Sequence, residues 1–360
     1  MSERDWRAIM RQCERWLGQR RPGSAAALLN AAAAALPDDV WPDHYGEGEF
    51  VEAFERRIAA LFAAPAAVLL PSGTMAQQIA LRIHCDRRST STVAFHPTCH
   101  LELHEHAGYA HLHGLKAELI GDRDRLIALD DLEALSAPIG ALLIELPQRE
   151  IGGRLPEWDD LLAQIQWARD RHVATHLDGA RVWESAPYYR RTFAEIGELF
   201  DTIYVSLYKG LGGLAGSVLA GPDDVIAEAR VWRRRHGGAL PSLFPFAASA
   251  QRGLDELLPQ MQRFLAHARL LASALSQVPG VVVVPDPPQT PLFHVHLRGD
   301  VKALEERALD VAQERGVWLF HELAPSVVPN VGMLELTVGE PALEISPQEA
   351  AELFQIVVRA

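Results

Sequence analysis

Lysine is nearly missing from this 360-residue chain: three lysines stand against 31 arginines. Arginine keeps its charge in any protein setting, whereas a desolvated lysine can lose its proton and attack a carbonyl, so a retained lysine asks for a reason. Cysteine is equally sparse. Cys13, Cys85 and Cys99 are odd in number and far apart, which gives no basis for a disulfide framework. Long apolar runs are absent too. The longest, Ala25 to Leu36, is Ala-rich, interrupted by Asn30 and too short to span a bilayer. No charged-then-apolar leader opens the chain, so no membrane partner is expected and the cytoplasm is the expected compartment. Positive charge also falls short overall. A net charge of −13 and a pI near 5.6 argue against nucleic acid as a partner. The arginines from Arg230 to Arg235 form one basic turn, which does not make a binding face. There is no internal repeat and no low-complexity linker.

What remains is ordinary for a soluble globular protein: 48% hydrophobic and 22% charged residues. The length suggests about two domains. Trp6, Ile9, Met10, Cys13 and Leu17 follow helical spacing, the Ala-rich segment reads as a second helix, and Phe50 to Phe62 as a third. Short apolar runs then alternate with amphipathic stretches. The runs are Ala67 to Leu70, Thr92 to Phe95, Ala141 to Ile144, Val173 to His176, Thr202 to Val205 and Ser217 to Ala220. That alternation predicts an α/β fold with a mostly parallel sheet, whose ligands bind beyond the carboxyl ends of the strands. After a long helix near Pro259 to Gln277, strands at Val281 to Val284, Leu292 to Leu297, Val317 to Phe320 and Met333 to Val338 predict a smaller α+β domain. The expected division is an N-terminal helical segment over 1–40, a large domain over 41–250 and a small C-terminal domain over 251–360.

Lys209 lies in Ser206-Leu-Tyr-Lys-Gly-Leu-Gly-Gly213, downstream of His176-Leu-Asp-Gly-Ala-Arg181. An amine nucleophile in a glycine-rich loop, together with an Asp and an Arg, is the equipment of a pyridoxal-phosphate (PLP) enzyme. In that chemistry Asp178, at a strand end, keeps a pyridine nitrogen protonated. Arg181 offers a planar fork to a carboxylate or to the cofactor phenolate. The competing reading of the two, less favoured even in isolation, is a structural Asp–Arg pair. Pro71-Ser-Gly-Thr-Met-Ala76 follows a strand and opens a helix, where backbone N–H groups bind phosphate. Gly73 lets the backbone approach, and Ser72 and Thr74 offer hydroxyls. Helix capping alone explains Ser72 about as well, but beside Lys209 the phosphate reading is preferred. Ser206 can bring its hydroxyl to the same phosphate. Six histidines, 96, 100, 104, 106, 111 and 113, crowd one segment. His100 and His104 stand four residues apart, a spacing that can place two ligands on one metal ion. With no HExxH pattern and no cysteine pair, no metal is expected, and a histidine stacked on a flat cofactor is the better role.

On these residues the chain resembles the threonine aldolase and aromatic amino acid β-eliminating lyase family of fold-type I PLP enzymes. The match runs from Tyr45 to Gly238, including His100, His104-Glu105, Gly108, Glu145, Gly152-Gly153, Gly216-Ser217 and Trp232 to Gly238. The resemblance implies a PLP-dependent transferase-like fold, large domain plus small. It implies Lys209 as the residue of the internal aldimine, Asp178 against the pyridine nitrogen and His100 stacked on the ring. Arg181 would meet the substrate carboxylate or the cofactor oxygen, and the assembly would be a homodimer or homotetramer. The implied activity is retro-aldol cleavage of a β-hydroxy amino acid. β-Elimination, or PLP and amino-acid binding with little turnover, remain as alternatives.

Departures from the family pattern mark the substrate end. Pro241 stands where an Arg toward the cofactor phosphate is usual, so a different cationic or hydroxyl donor, such as an Arg from 230 to 235, is expected to cover that phosphate. Glu335 replaces an Arg usual for the substrate carboxylate, and Leu146-Pro147-Gln148 replaces Asn-Thr-His. Glu335 is expected to disfavour simple α-carboxylates such as L-threonine.

Overall fold

The computed structural model describes residues 5–326 and 328–359. Two compact units emerge. The larger comprises Ala25–Glu150 and Leu155–Pro259; the smaller comprises the chain through Ser24, Ile151–Arg154 and Gln260 onward.

The larger unit is built on seven strands: β1 (Ala66–Leu70), β2 (Thr92–Phe95), β3 (Lys116–Leu119), β4 (Ala141–Glu145), β5 (Ala174–Gly179), β6 (Thr202–Ser206) and β7 (Ser217–Gly221). Their order is β1-β7-β6-β5-β4-β2-β3. β7 runs antiparallel to both neighbours, and every other pairing is parallel. The expected mostly parallel α/β sheet is therefore present. Strands β4 to β7 are buried along their whole length, as the continuous apolar runs require of a sheet covered on both faces.

One element escaped the sequence pattern. β3, Lys-Ala-Glu-Leu, is an edge strand with both ends exposed, so no apolar run announces it. The helix Gly73–Arg87 covers the sheet with one apolar stripe. Ala76, Ile79, Ala80 and Ile83 pack with Val68 and Leu70 of β1, Tyr204 of β6 and Leu219 of β7. Ser72 caps this helix in extended conformation, its Oγ accepting from Met75 N at 3.3 Å.

In the smaller unit, β8 (Val281–Val284), β9 (Leu292–Arg298) and β10 (Val331–Thr337) form an antiparallel sheet, with Ala324–Pro325 paired at its edge. Helices Met261–Leu275, Val301–Arg315 and Pro347–Val358 complete it. The paired glycines Gly152 and Gly153 also belong here. Both have positive φ, and a Cβ would stand 2.4 Å from Val284 O and 2.7 Å from Leu292 O respectively, so only glycine fits. The first helix is shorter than its periodicity predicts. It ends at Gln12, because Arg15 and Trp16 pair in parallel with Val317 and Trp318. The apolar residues Trp16 and Leu17 that prolong the helical pattern are buried by this pairing.

Candidate active site

The carboxyl ends of the parallel strands open on one pocket, lined by His100, Glu145, Pro147, Arg149, Glu150, Asp178, Ala180, Arg181 and Lys209. Four of the residues singled out in the sequence meet there: Lys209, Asp178, His100 and Arg181. Asp178 and Glu145 end neighbouring strands and are register partners across β5 and β4. Both carboxyls are buried. Asp178 Oδ1 accepts from Ala180 N at 3.0 Å, and Glu145 Oε1 accepts from His100 N at 2.8 Å.

Burial and charge compete in this pocket. Burial pushes Lys209 below its ordinary value, and the Asp178 carboxylate opposes that shift. Burial raises Asp178, which the Lys209 ammonium counters. Glu145 is raised well above its ordinary value, first by burial and then by the Asp178 charge. An amine that gives up its proton readily, beside a carboxylate that stabilises a cation, is what a carbonyl-binding nucleophile needs.

His100 is oriented from below. Its Nδ1 lies 3.0 Å from Glu105 Oε1, and Glu105 Oε2 in turn accepts from Gln78 Nε2 at 3.0 Å. A carboxylate only accepts, so Nδ1 carries the proton of the neutral ring and Nε2 keeps the lone pair. Arg181 reaches the pocket from a buried pair: its NH1 is 3.3 Å from Glu184 Oε1, with side-chain exposures of 11% and 1%.

Ser72, Gly73 and Ser206 cluster at the ends of β1 and β6, outside the pocket lining. Ser217 Oγ donates to Ser72 O at 2.8 Å, and Ser217 is also the register partner of Ser206. Ser206 Oγ is sealed from solvent, with the Tyr204 phenol beside it. A Cβ on Gly73 would stand 2.0 Å from the Tyr204 hydroxyl. Thr74 is exposed on the first turn of the capped helix.

The other histidines go elsewhere. His96 holds Thr98 Oγ1 and Arg125 O, at 2.8 and 2.7 Å. His104 Nε2 meets Glu150 Oε1 at 2.8 Å, and His113 stacks on His236. His106 and His111 are exposed. Among the described residues, no group of three or more His, Cys, Asp or Glu is placed to hold a metal ion.

Arg230 and Arg233 both have internal partners. Arg230 pairs with Glu55 at 2.5 Å; Arg233 donates to Leu69 O at 2.9 Å and to Tyr45 O at 3.0 Å. Pro241 O accepts from Tyr45 N at 3.1 Å. Glu335 lies on β10 in register with His294 of β9. Arg149 and Glu150 gave no sequence signal of their own, and Pro147 only as part of a departure from the family pattern. Glu145 and Glu105 gave one only as members of a matching pattern.

A half-buried lysine, a buried carboxylate on the neighbouring strand and a buried serine hydroxyl near a capped helix N-terminus fit PLP. Together they define a fold-type I PLP-dependent enzyme. The β-eliminating lyase family model matches residues 22–298, and the chain belongs to that family. It is a PLP-dependent lyase. It is similar to the crystal structure of a candidate L-allo-threonine aldolase from Listeria monocytogenes, with TM-score 0.92, 37% identity and 98% and 97% of the two chains covered. A candidate aromatic amino acid β-eliminating lyase/threonine aldolase from Exiguobacterium sp. 255-15 is similar to the same degree, with TM-score 0.92, 39% identity and 98% of each chain covered. The low specificity L-threonine aldolase of Escherichia coli O157:H7 is 30% identical over 71% of this chain and 76% of its own. Among the described residues, no helix is long and apolar enough to cross a membrane.

Proposed function

We propose that this lyase cleaves the Cα–Cβ bond of a β-hydroxy-α-amino acid, releasing glycine and an aldehyde. The observation that carries the reading is the convergence of Lys209, Asp178, His100 and Arg181 on one pocket. The threonine aldolase names of its relatives supply the substrate class. Lys209 would hold the aldehyde carbon of PLP, and Asp178 its pyridine nitrogen. His100 would lie along the ring, and Ser72, Gly73, Thr74 and Ser206 would take its phosphate. When bound, the cofactor supplies an electron-accepting ring for the pair left at Cα.

The rest falls to the chain. Desolvation keeps the Lys209 amine ready to act as nucleophile and, once displaced by the substrate amine, as a base. Glu105 fixes the tautomer of His100, so that Nε2 can accept the proton of the β-hydroxyl as the bond to Cβ breaks. Arg181, locked by buried Glu184, offers its remaining donors to a carboxylate or to the cofactor oxygen. A cytoplasmic homodimer or homotetramer is part of the same proposal, and sedimentation at micromolar concentration tests the assembly.

Product analysis tests the reaction. The purified holo-protein is incubated with L-threonine, L-allo-threonine and β-phenylserine. Glycine with the matching aldehyde is the expected product pair; a 2-oxo acid with ammonia would make the enzyme a β-eliminating lyase instead.

A further inference from the structure

We propose that Gln78 is a positioning residue for His100, acting through Glu105, a role that rests on the lyase reading above. The His100 side chain is 33% exposed and starts the short helix His100–Leu103, so its anchor has to lie beneath it. Glu105 is that anchor, with only 1% of its side chain exposed. A carboxylate taken so far out of water needs donors. His100 Nδ1 meets one of its oxygens and Gln78 Nε2 donates to the other, both at 3.0 Å. Gln78 is itself buried, and its amide is a neutral donor, which leaves the negative charge on Glu105 to hold the ring N–H. Without that amide one Glu105 oxygen would be buried bare. The carboxyl would then turn away or take up a proton, and the His100 N–H would lose its fixed acceptor. The ring proton could move to Nε2, the nitrogen that must be bare to receive the β-hydroxyl proton.

The place of Gln78 is set from two sides. It stands on the helix Gly73–Arg87, about 7.5 Å along the axis from Gly73 at roughly 1.5 Å per residue. The start of that helix carries the residues proposed for the cofactor phosphate. One rigid element therefore references both the phosphate and the histidine that would lie along the ring. From the other side, Gly108 leaves the space that the amide fills. Its N–H donates to Glu105 O at 3.0 Å, and a Cβ on it would run into Gln78 Nε2. Gly108 has no positive φ, so the backbone accepts alanine, and only the tip of a flexible side chain has to give way. The tip that gives way is the donor to Glu105.

The test reads the ring directly. Protein carrying isotope-labelled histidine nitrogens, both cofactor-free and PLP-loaded, is followed by NMR, with the His100 signals assigned by their loss in His100→Asn. Wild type is expected to show a protonated Nδ1 and a bare Nε2 in the neutral ring. Two variants should move protonation toward Nε2 in both forms of the protein: Gln78→Met, which keeps the bulk and removes the donor, and Gly108→Ala, which lies outside the pocket lining. A change of packing alone would lower stability and leave the ring signature where it was. Both variants are expected to lower kcat for aldol cleavage by about tenfold with KM within about twofold of wild type. An unchanged signature in both, or a changed signature with unchanged kcat, would overturn the role of Gln78 while the lyase reading stands. A wild-type holo-protein that cleaves none of the β-hydroxy amino acids would sink both.

Discussion

Strands β5 and β6 carry two clusters of buried polar groups that respond to burial in opposite ways. Midway along, His176 Nδ1 and His84 Nε2 each meet Thr202 Oγ1 at 2.8 Å. Burial drives His176 down to about 3 and His84 to about 4, so both rings are neutral near pH 7. Two residues further along β5, Asp178 lines the pocket with Lys209 and Glu145. There burial acts on groups of both signs, and none is resolved by a neutral hydroxyl. A fold keeps polar groups dry at less risk when they are neutral, even where, as at His176 Nε2, one ring nitrogen closes no bond. Opposed charges held at a strand end, next to an opening, signal a site that a ligand completes.

Removing the charges at the pocket end should therefore abolish function, and removing the neutral cluster should not. The largest effect is expected for Lys209→Ala: turnover falls below detection, and borohydride, which should label the wild-type peptide containing Lys209, labels nothing. Retained turnover in that variant would remove the contrast altogether. Asp178→Asn, nearly the same shape without the charge, is expected to lower kcat by about 10²- to 10³-fold, a range typical of one lost electrostatic contact in a transition state.

The neutral cluster should show itself through stability. Both histidines bind a proton more weakly in the fold than their ordinary value of 6.5. The unfolded chain therefore takes up protons first, and stability is lost as pH falls from 6.5 toward about 4. His176→Gln is expected to flatten that slope in urea melts between those limits, to cost about 1 kcal/mol at neutral pH, and to leave kcat within about twofold of wild type. A slope equal to that of wild type would place the acid sensitivity elsewhere.

The smallest effect concerns Glu145. Its raised carboxyl binds a proton more tightly in the fold, so its contribution is greatest below the ordinary value of 4.5 and is lost as pH rises above it. Glu145→Gln should stabilise the cofactor-free protein at neutral pH by on the order of 1 kcal/mol, with no gain at pH 4. An equal gain at both pH values would mean that ionisation is not the cause.

Much of this contrast is legible in the sequence. The apolar runs located six of the seven strands of the large sheet, because a strand buried on both faces has no polar alternation to hide it. β3 escaped because an exposed edge can afford Lys116 and Glu118. Lys209, Asp178, Arg181 and His100 were legible because scarcity, motif and strand ends coincided. Glu105 and Glu150 had roles that no local pattern states. Glu105 reaches His100 across the end of a four-residue helix, and Glu150 meets His104 over 46 positions of chain. Arg149 stood as one of 31 arginines, and only the turn after β4 distinguishes it.

Gly73 constrains how this site can diverge. A Cβ added at 73 would land on the Tyr204 hydroxyl, at 2.0 Å. Tyr204 is the register partner of Asp178, so the displacement would be passed to the strand that carries the carboxylate. In a lineage descended from this chain, the helix start is therefore fixed by packing as well as by the phosphate it is proposed to hold. Volume at its first residue would have to change together with the aromatic ring beneath it, a two-step change whose first step alone is damaging.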